Sequence, residues 1–218
     1  MTTRLKIDFV SDISCPWCAI GLAGLEKALE RLEGTVDAQL HFQPFELNPQ
    51  MPAGGQDITE HLTQKYGSSP EQQAASREAI RERGAGLGFT FRKEGRGRVY
   101  NTFNAHRLLH WAGQHDGPQQ RRLKKALLGA YFTDGKSPED VEVLVEAVRT
   151  AGLDSARARE ILQGDEFGAE VRAQEQFYQS QGIHAVPSVI INDRHLIQGG
   201  QPAEAFEQAL RQLADSGG

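Results

Sequence analysis

The placement of β-like segments constrains this chain more than any other feature: they sit at its two ends, and a long helical stretch separates them. Near the N-terminus, Leu5 to Val10 is a short apolar run that predicts a first strand over roughly Lys6–Val10. In Val36–Phe45, the residues Val36, Ala38, Leu40 and Phe42 alternate with polar residues, which predicts a second strand. A helix is expected between them, from Pro16 to about Leu32. Leu22, Leu25, Leu29 and Leu32 recur at three- and four-residue steps, with Glu26, Lys27, Glu30 and Arg31 on the other side. From about Asp57 to Gln181 the spacing is helical throughout. Helix-start signals stand at Asp57 or Thr59, Ser69-Pro70-Glu71, Asn101-Thr102, Gly117-Pro118, Ser137-Pro138-Glu139 and Asp154-Ser155. They predict roughly five to seven helices and no clear strand. β character returns with the branched run from Pro187 to Ile191, a turn at Asn192-Asp193-Arg194 and a partner strand at His195–Gln198. Gly199-Gly200-Gln201-Pro202 then opens a last helix striped by Phe206, Ala209, Leu210 and Leu213. The order is βαβ, a helical block, then ββα. It divides the chain into an α/β part over 1–56, an all-helical insertion over 57–181, and a closing α/β part over 182–218.

Cys15-Pro16-Trp17-Cys18 lies between the first strand and the first helix, and these are the only two cysteines. A helix N-terminus offers unpaired N–H groups and the positive end of the dipole, and both stabilise a thiolate. Cys15 can therefore attack at neutral pH. Pro16 suits the first helical position, where its missing N–H is not needed. Cys18 stands one turn deeper, close enough to close a disulfide with Cys15. Two other uses of the pair compete. A structural disulfide across so short a loop restricts the unfolded chain little, about 2 kcal/mol against about 3 for a loop of about 15 residues. A zinc site needs four ligands, and the sequence has no second Cys pair or Cys-His pair, so no metal site is expected. The redox dithiol is the preferred reading.

The chain's length of 218 residues suits one large domain, or one domain carrying an insertion. Lys and Arg number 24 against 29 Asp and Glu, and the net charge of −5 argues against nucleic acid as a general partner. No apolar run of about 18 residues exists, so no membrane span is expected. The first residues contain no apolar h-region and no small-residue cleavage site, and two cysteines in so long a chain fit a reducing compartment. A cytoplasmic location is expected. The basic glycine-rich stretch Arg92–Arg98 reads as a solvated loop, with anion attraction as a lesser alternative. Monomer and homodimer are both open.

The pattern extends beyond the dithiol to the segments Phe45–Pro49, Asn101–Arg107, Tyr131–Gly135, Val186–Ser188 and Gly199–Pro202. Together with Cys15-Pro16-Trp17-Cys18, and in this order, they resemble the cytoplasmic FrnE-like branch of the DsbA family across nearly the whole chain. The resemblance implies an α/β thioredoxin-like fold with a large all-helical insertion. It also implies a cis-proline loop at Val186-Pro187 facing the dithiol. Pro187 would be part of the catalytic set, and Val186 would offer its N–H and C=O to an extended substrate as an added strand. An acidic residue on the first strand of the family relays the proton of the buried cysteine. Asp8 is the candidate, one residue further from Cys15 than in DsbA, and Asp12 is its rival. Trp17 replaces the histidine of DsbA. It carries no charge, so a less acidic Cys15 and a less oxidising disulfide are expected. Pro16, Trp17 and Val186 are expected beside the substrate. His184, three residues before Pro187, is near enough to touch it. A helix start at Asn101 is expected to aim N–H groups at the site and to form part of a groove wall. His106 and His110 stand at i and i+4, but the metalloprotease Glu is absent, so helix packing or a hydrogen-bonded histidine is expected.

These readings converge on a cytoplasmic thiol–disulfide oxidoreductase or isomerase. Cys15 would form a mixed disulfide with a thiol or disulfide substrate, protein or small molecule, and Cys18 would resolve it. No cofactor is expected, with glutathione as a candidate redox partner. Two other classes stand beside this one. Kappa-class glutathione transferases and 2-hydroxychromene-2-carboxylate isomerases resemble this architecture, but they carry serine where this chain has Cys15 and leave Cys18 without a task. A non-enzymatic peptide-binding or chaperone module could use the helical block and the Val186-Pro187 loop as a groove.

Overall fold

The structure is a computed structural model that describes residues 2–115 and 117–216. Strand β1 (Thr3–Ser11), helix α1 (Pro16–Arg31) and strand β2 (Val36–Pro44) form a parallel βαβ unit. Helix α1 begins where Pro16 fills its first turn and Cys15, extended at φ −95° and ψ 113°, takes the N-cap. Leu22, Leu25 and Ala28 on one side of it are buried in the core. The other side is less solvated than the spacing suggests. Glu26 is buried there, and its carboxylate accepts from Arg121 at 2.6 Å and Lys125 at 2.8 Å. A carboxylate leaves water only when cations of a neighbouring element meet it, and no pattern within α1 reveals those cations.

Strand β3 (Gln56–Asp57) is followed by α2 (Ile58–Tyr66), α3 (Pro70–Gly86), strand β4 (Arg98–Val99), α4 (Phe103–Ala112), α5 (Gln119–Phe132), α6 (Val141–Thr150), α7 (Ser155–Gln163) and α8 (Gly168–Ser180). Several start signals act as true caps. The Asp57 carboxylate accepts the Thr59 and Glu60 N–H groups at 2.9 and 3.1 Å, and Ser69 with Gln72 forms a capping box. The start expected at Ser137–Glu139 falls later. Asp140 is the residue whose carboxylate accepts from Glu142 and Val143, so α6 begins at Val141. The expectation of no strand in this stretch is corrected by β4, which pairs antiparallel with β3 in a ribbon separate from the main sheet. Two residues show no alternation, so periodicity could not find them. Arg98 ties the ribbon down by donating to the carbonyls of Gly54 and Gly55 at 2.8 and 2.9 Å.

Strands β5 (Ser188–Ile191) and β6 (His195–Gln198) and helix α9 (Ala203–Asp215) close the fold. The sheet order is β2-β1-β5-β6, with β1 parallel to β2 and antiparallel to β5. The β5–β6 hairpin turns through Asn192, Asp193 and Arg194; Asn192 and Asp193 are left-handed at φ 51° and 57°, and the Arg194 N–H donates to the Ile191 carbonyl at 3.1 Å. Asn192 also clamps the turn to β1, accepting the Lys6 N–H at 3.0 Å and donating to the Lys6 carbonyl at 2.9 Å. Helices α1 and α9 pack together, and Phe206 and Leu210 join Ile7, Phe9 and Leu25 in the core. Helices α4, α5 and α8 lie against β2. Gly24 permits close approach of α1 to the loop before α9: a Cβ there would stand 2.8 Å from the Gln201 carbonyl oxygen. Among the described residues, no helix is long and apolar enough to cross a membrane.

Candidate active site

The turn between β1 and α1 presents the dithiol. Both cysteines are thiols in the structure; Cys15 is 4% exposed and Cys18 is fully enclosed. The Cys15 thiol lies 3.7 Å from the Val186 carbonyl, which can accept from it. The Val186–Pro187 bond is cis. Pro187 packs on α1 at Gly21, where an added Cβ would come within 2.9 Å of its ring. The two thiols have opposite acidity. Cys15 is held below the ordinary thiol range, chiefly by the hydrogen bond from the Cys18 side chain. Burial opposes this, while the Cys18 N–H in the first turn and the charge of Arg96 assist it. Cys18 is pushed well above that range, first by burial and then by Cys15.

Asp12, not Asp8, is the acid next to the dithiol. Asp8 is buried on β1, but its carboxylate accepts from Gln43 at 2.6 Å and pairs with Lys6 at 3.0 Å. The strand alternation explains this placement. Ile7 and Phe9 share the core with α1, whereas Asp8 stands with Val10 on the face that meets Tyr178 of α8. Asp12 lies in the turn itself, fully buried. Its carboxylate accepts from Ser14 (2.7 Å from the hydroxyl), the Leu47 N–H (2.8 Å) and the Thr102 hydroxyl (2.8 Å), with His106 Nε2 at 3.4 Å. Burial works to raise its pKa, yet these donors, His106 foremost, together hold it well below the usual carboxylate range. His106 thus has the packing and hydrogen-bonding role expected of it. His110 faces Gln174 at 3.2 Å. Among the described residues, no cluster of side chains is arranged to hold a metal ion.

Cys15 opens onto a cavity of about 560 Å³. Pro16, Trp17, Val186 and His184 line it, as their proximity to the dithiol implies. Trp17 is half-buried, and the Arg83 guanidinium of α3 lies 5.4 Å from its ring centre. Asn101 is not on the wall. Its side chain turns back to accept the Phe103 N–H at 2.9 Å, and the wall expected from Asn101–Arg107 comes instead from α2 and α3. Arg96, expected in a solvated loop with anion attraction as the lesser alternative, takes a part in the site that the sequence did not assign it. Lys93, Glu94, Gly97 and Arg98 of the loop are exposed as expected, but Arg96 turns inward, lines the cavity and donates to the Ser14 carbonyl. With Arg77 and Arg92 it gives the cavity a cationic wall, and among the described residues no carboxylate side chain lines it. Lys124 of α5 was missed as well. It is completely enclosed, and its charge interacts with Cys18, Asp12 and Cys15. Its position four residues before Leu128 and seven before Tyr131, on the buried stripe of α5, was the available signal.

A four-stranded sheet with the dithiol at the head of its first crossover helix, faced by a cis-proline loop, defines a thioredoxin-like protein with an inserted helical array. The chain matches the DSBA-like thioredoxin domain over residues 6–211 and belongs to that family. It is 34% identical to the probable DsbA oxidoreductase SCO1869 from Streptomyces coelicolor, whose crystal structure superposes with a TM-score of 0.87 over 97% of this chain and 90% of that one. The fold is shared more distantly with a 2-hydroxychromene-2-carboxylate isomerase (14% identity, TM-score 0.70, 97% of each chain). It is also shared with the cytosolic disulfide reductase DsbM from Pseudomonas aeruginosa, solved with GSH (17% identity, TM-score 0.65, 96% of this chain and 99% of that one).

Proposed function

We propose that this protein is a thiol–disulfide oxidoreductase of the FrnE-like branch, working in the cytoplasm through Cys15 and Cys18. The observation that carries the reading is the asymmetry of the dithiol. Cys15 is acidified and faces a cavity, and Cys18 is enclosed one turn behind it with a raised pKa. That is the division between an attacking and a resolving thiol. The Cys15 thiolate attacks one sulfur of a substrate disulfide, the other sulfur leaves as a thiolate, and a mixed disulfide forms. Cys18 then displaces the bound sulfur and closes Cys15–Cys18. The substrate gains the two electrons that the protein dithiol loses. Val186 and Pro187 hold the incoming sulfur's chain beside Cys15, and Pro16, Trp17 and His184 border it. The arginine wall suits a small thiol bearing carboxylates, and glutathione is the proposed redox partner.

The fold shared with a 2-hydroxychromene-2-carboxylate isomerase favours a second reading, glutathione-dependent chemistry on a small molecule. Cys18→Ser separates the two. Under the redox reading it traps Cys15 as a stable mixed disulfide with glutathione and abolishes turnover of disulfides. A variant that traps nothing, or retains full turnover, overturns the exchange mechanism.

A further inference from the structure

The cavity in front of Cys15 holds an acceptor that the exchange chemistry leaves unused. His61 of α2 lines it and is 9% exposed. Its Nδ1 lies 2.9 Å from Gln56 Oε1. Gln56 Nε2 donates to Gln64 Oε1 at 2.8 Å, and Gln64 Nε2 donates to the Glu60 carboxylate at 3.2 Å. The direction of this chain is fixed at its far end, because a carboxylate only accepts. Reversing either amide would set oxygen against oxygen, at Gln64 or at Glu60. The Gln56 oxygen therefore accepts, His61 Nδ1 carries the ring proton, and Nε2 keeps a bare lone pair. Among the described residues Nε2 meets no donor, and it is not one of the sealed polar atoms, so the lone pair opens to the cavity. Burial and the charges of Lys65 and Arg96 hold the imidazole below its usual pKa, so it is neutral near pH 7.

We propose that His61 Nε2 accepts an amide N–H of the bound substrate, so that the cavity selects anionic thiols and disulfides of peptide type over those that carry carboxylates alone. This rests on the oxidoreductase reading and gives it a substrate class. The arginines of the wall only donate, and they suit carboxylates. A donor on the same ligand needs another partner, and His61 supplies one. Lys65 stands one turn along α2 from His61, and Arg96 lines the same cavity. Two cations so placed repel an ammonium at Nε2, which leaves a neutral N–H as the donor that fits. No proton is transferred and no bond is made at His61. It fixes how the ligand lies while the ligand's sulfur reaches Cys15. Gln56, Gln64 and Glu60 act through it: without them the ring could place its proton on Nε2, which would then donate and accept nothing from an amide.

The test mixes the reduced full chain with two disulfides and reads the loss of free thiols after rapid acid quench. Glutathione disulfide carries amide N–H groups and carboxylates. The aromatic disulfide 5,5′-dithiobis(2-nitrobenzoate) carries carboxylates and no N–H. In His61→Phe the second-order rate constant for glutathione disulfide should fall at least about fivefold near pH 7, and that for the aromatic disulfide by less than about twofold. Equal changes toward both, or no change toward glutathione disulfide, overturn the proposal. A wild type oxidised by the aromatic disulfide alone also overturns it and spares the oxidoreductase reading, whereas a wild type oxidised by neither defeats that reading instead. If His61→Phe does not fold, the wild type with nitrogen-15-labelled histidine is titrated with S-methylglutathione. The free chain should show a bare Nε2 at His61, and its resonance should move upfield as the ligand binds. A bare Nδ1, or an Nε2 resonance that stays in place, overturns the proposal.

Discussion

Arg96 and Asp12 act beside the dithiol in different ways, on top of the larger effects of burial and of the two cysteines on each other. Arg96 reaches Ser14 from 82 positions along the chain and brings its charge to Cys15. Replacing it with glutamine should raise the Cys15 pKa and slow its alkylation by iodoacetamide near pH 6 by about three- to tenfold. An unchanged pH profile would show that the guanidinium serves only the Ser14 carbonyl. Asp12 is a structural anion. Asparagine in its place can accept at one atom only and turns a donor toward donors. Asp12→Asn should therefore cost about 2–4 kcal/mol near pH 7, read from urea midpoints. The carboxyl is more acidic folded than unfolded, so its contribution is complete above the unfolded value of about 4 and is lost as pH falls below it. The variant's deficit should shrink near pH 3, where the unfolded wild type has taken up the proton. Equal deficits at both pH values would refute this assignment. The cysteines were legible in the sequence because a four-residue motif keeps its members adjacent in space. Asp12 stood out only as a rival to Asp8, since the face on which a strand residue lands depends on its partners. Arg96 stood out only as one charge of a basic loop, because a loop has no period from which to read which side chain turns inward.

Helix α1 shows how an element can be positioned by what it lacks. Gly24→Ala gains about 1 kcal/mol of helix propensity. The added methyl would meet the Gln201 carbonyl, which is backbone and cannot swing aside. A net loss of about 1–3 kcal/mol is expected by chemical denaturation. Gly86 in the last turn of α3 is the control, since a Cβ there meets nothing within 4 Å. Gly86→Ala should be neutral or stabilising by about 0.5–1 kcal/mol. If both variants shift stability alike, the contact at Gly24 is not the cause. Helix existence was readable from spacing and caps. The identity of the cavity wall was not, because α2, α3 and α4 all carry polar faces and only tertiary packing decides which one turns toward Cys15.

At the scale of the whole molecule, the helices between β3 and β5 restrict access to Cys15. Its 4% exposure and the enclosing walls of α2 and α3 predict a size filter in the native state. Iodoacetamide should label Cys15 at least about tenfold faster than a polymer-linked iodoacetamide of the same intrinsic reactivity, and the ratio should fall toward one in denaturant. Comparable native rates would mean that the cavity opens widely. The order β2-β1-β5-β6 has a further consequence, which concerns time. Strand β1 and the dithiol are made first, whereas Val186, which faces Cys15, follows 171 positions later. At about 5–20 residues per second, the ribosome needs about 10–30 s to supply it. For that interval the sheet lacks half its strands, and the thiols are open to passing oxidants and to other nascent chains. The newborn polypeptide is therefore at its most vulnerable to cross-linking before it has the means to perform exchange selectively.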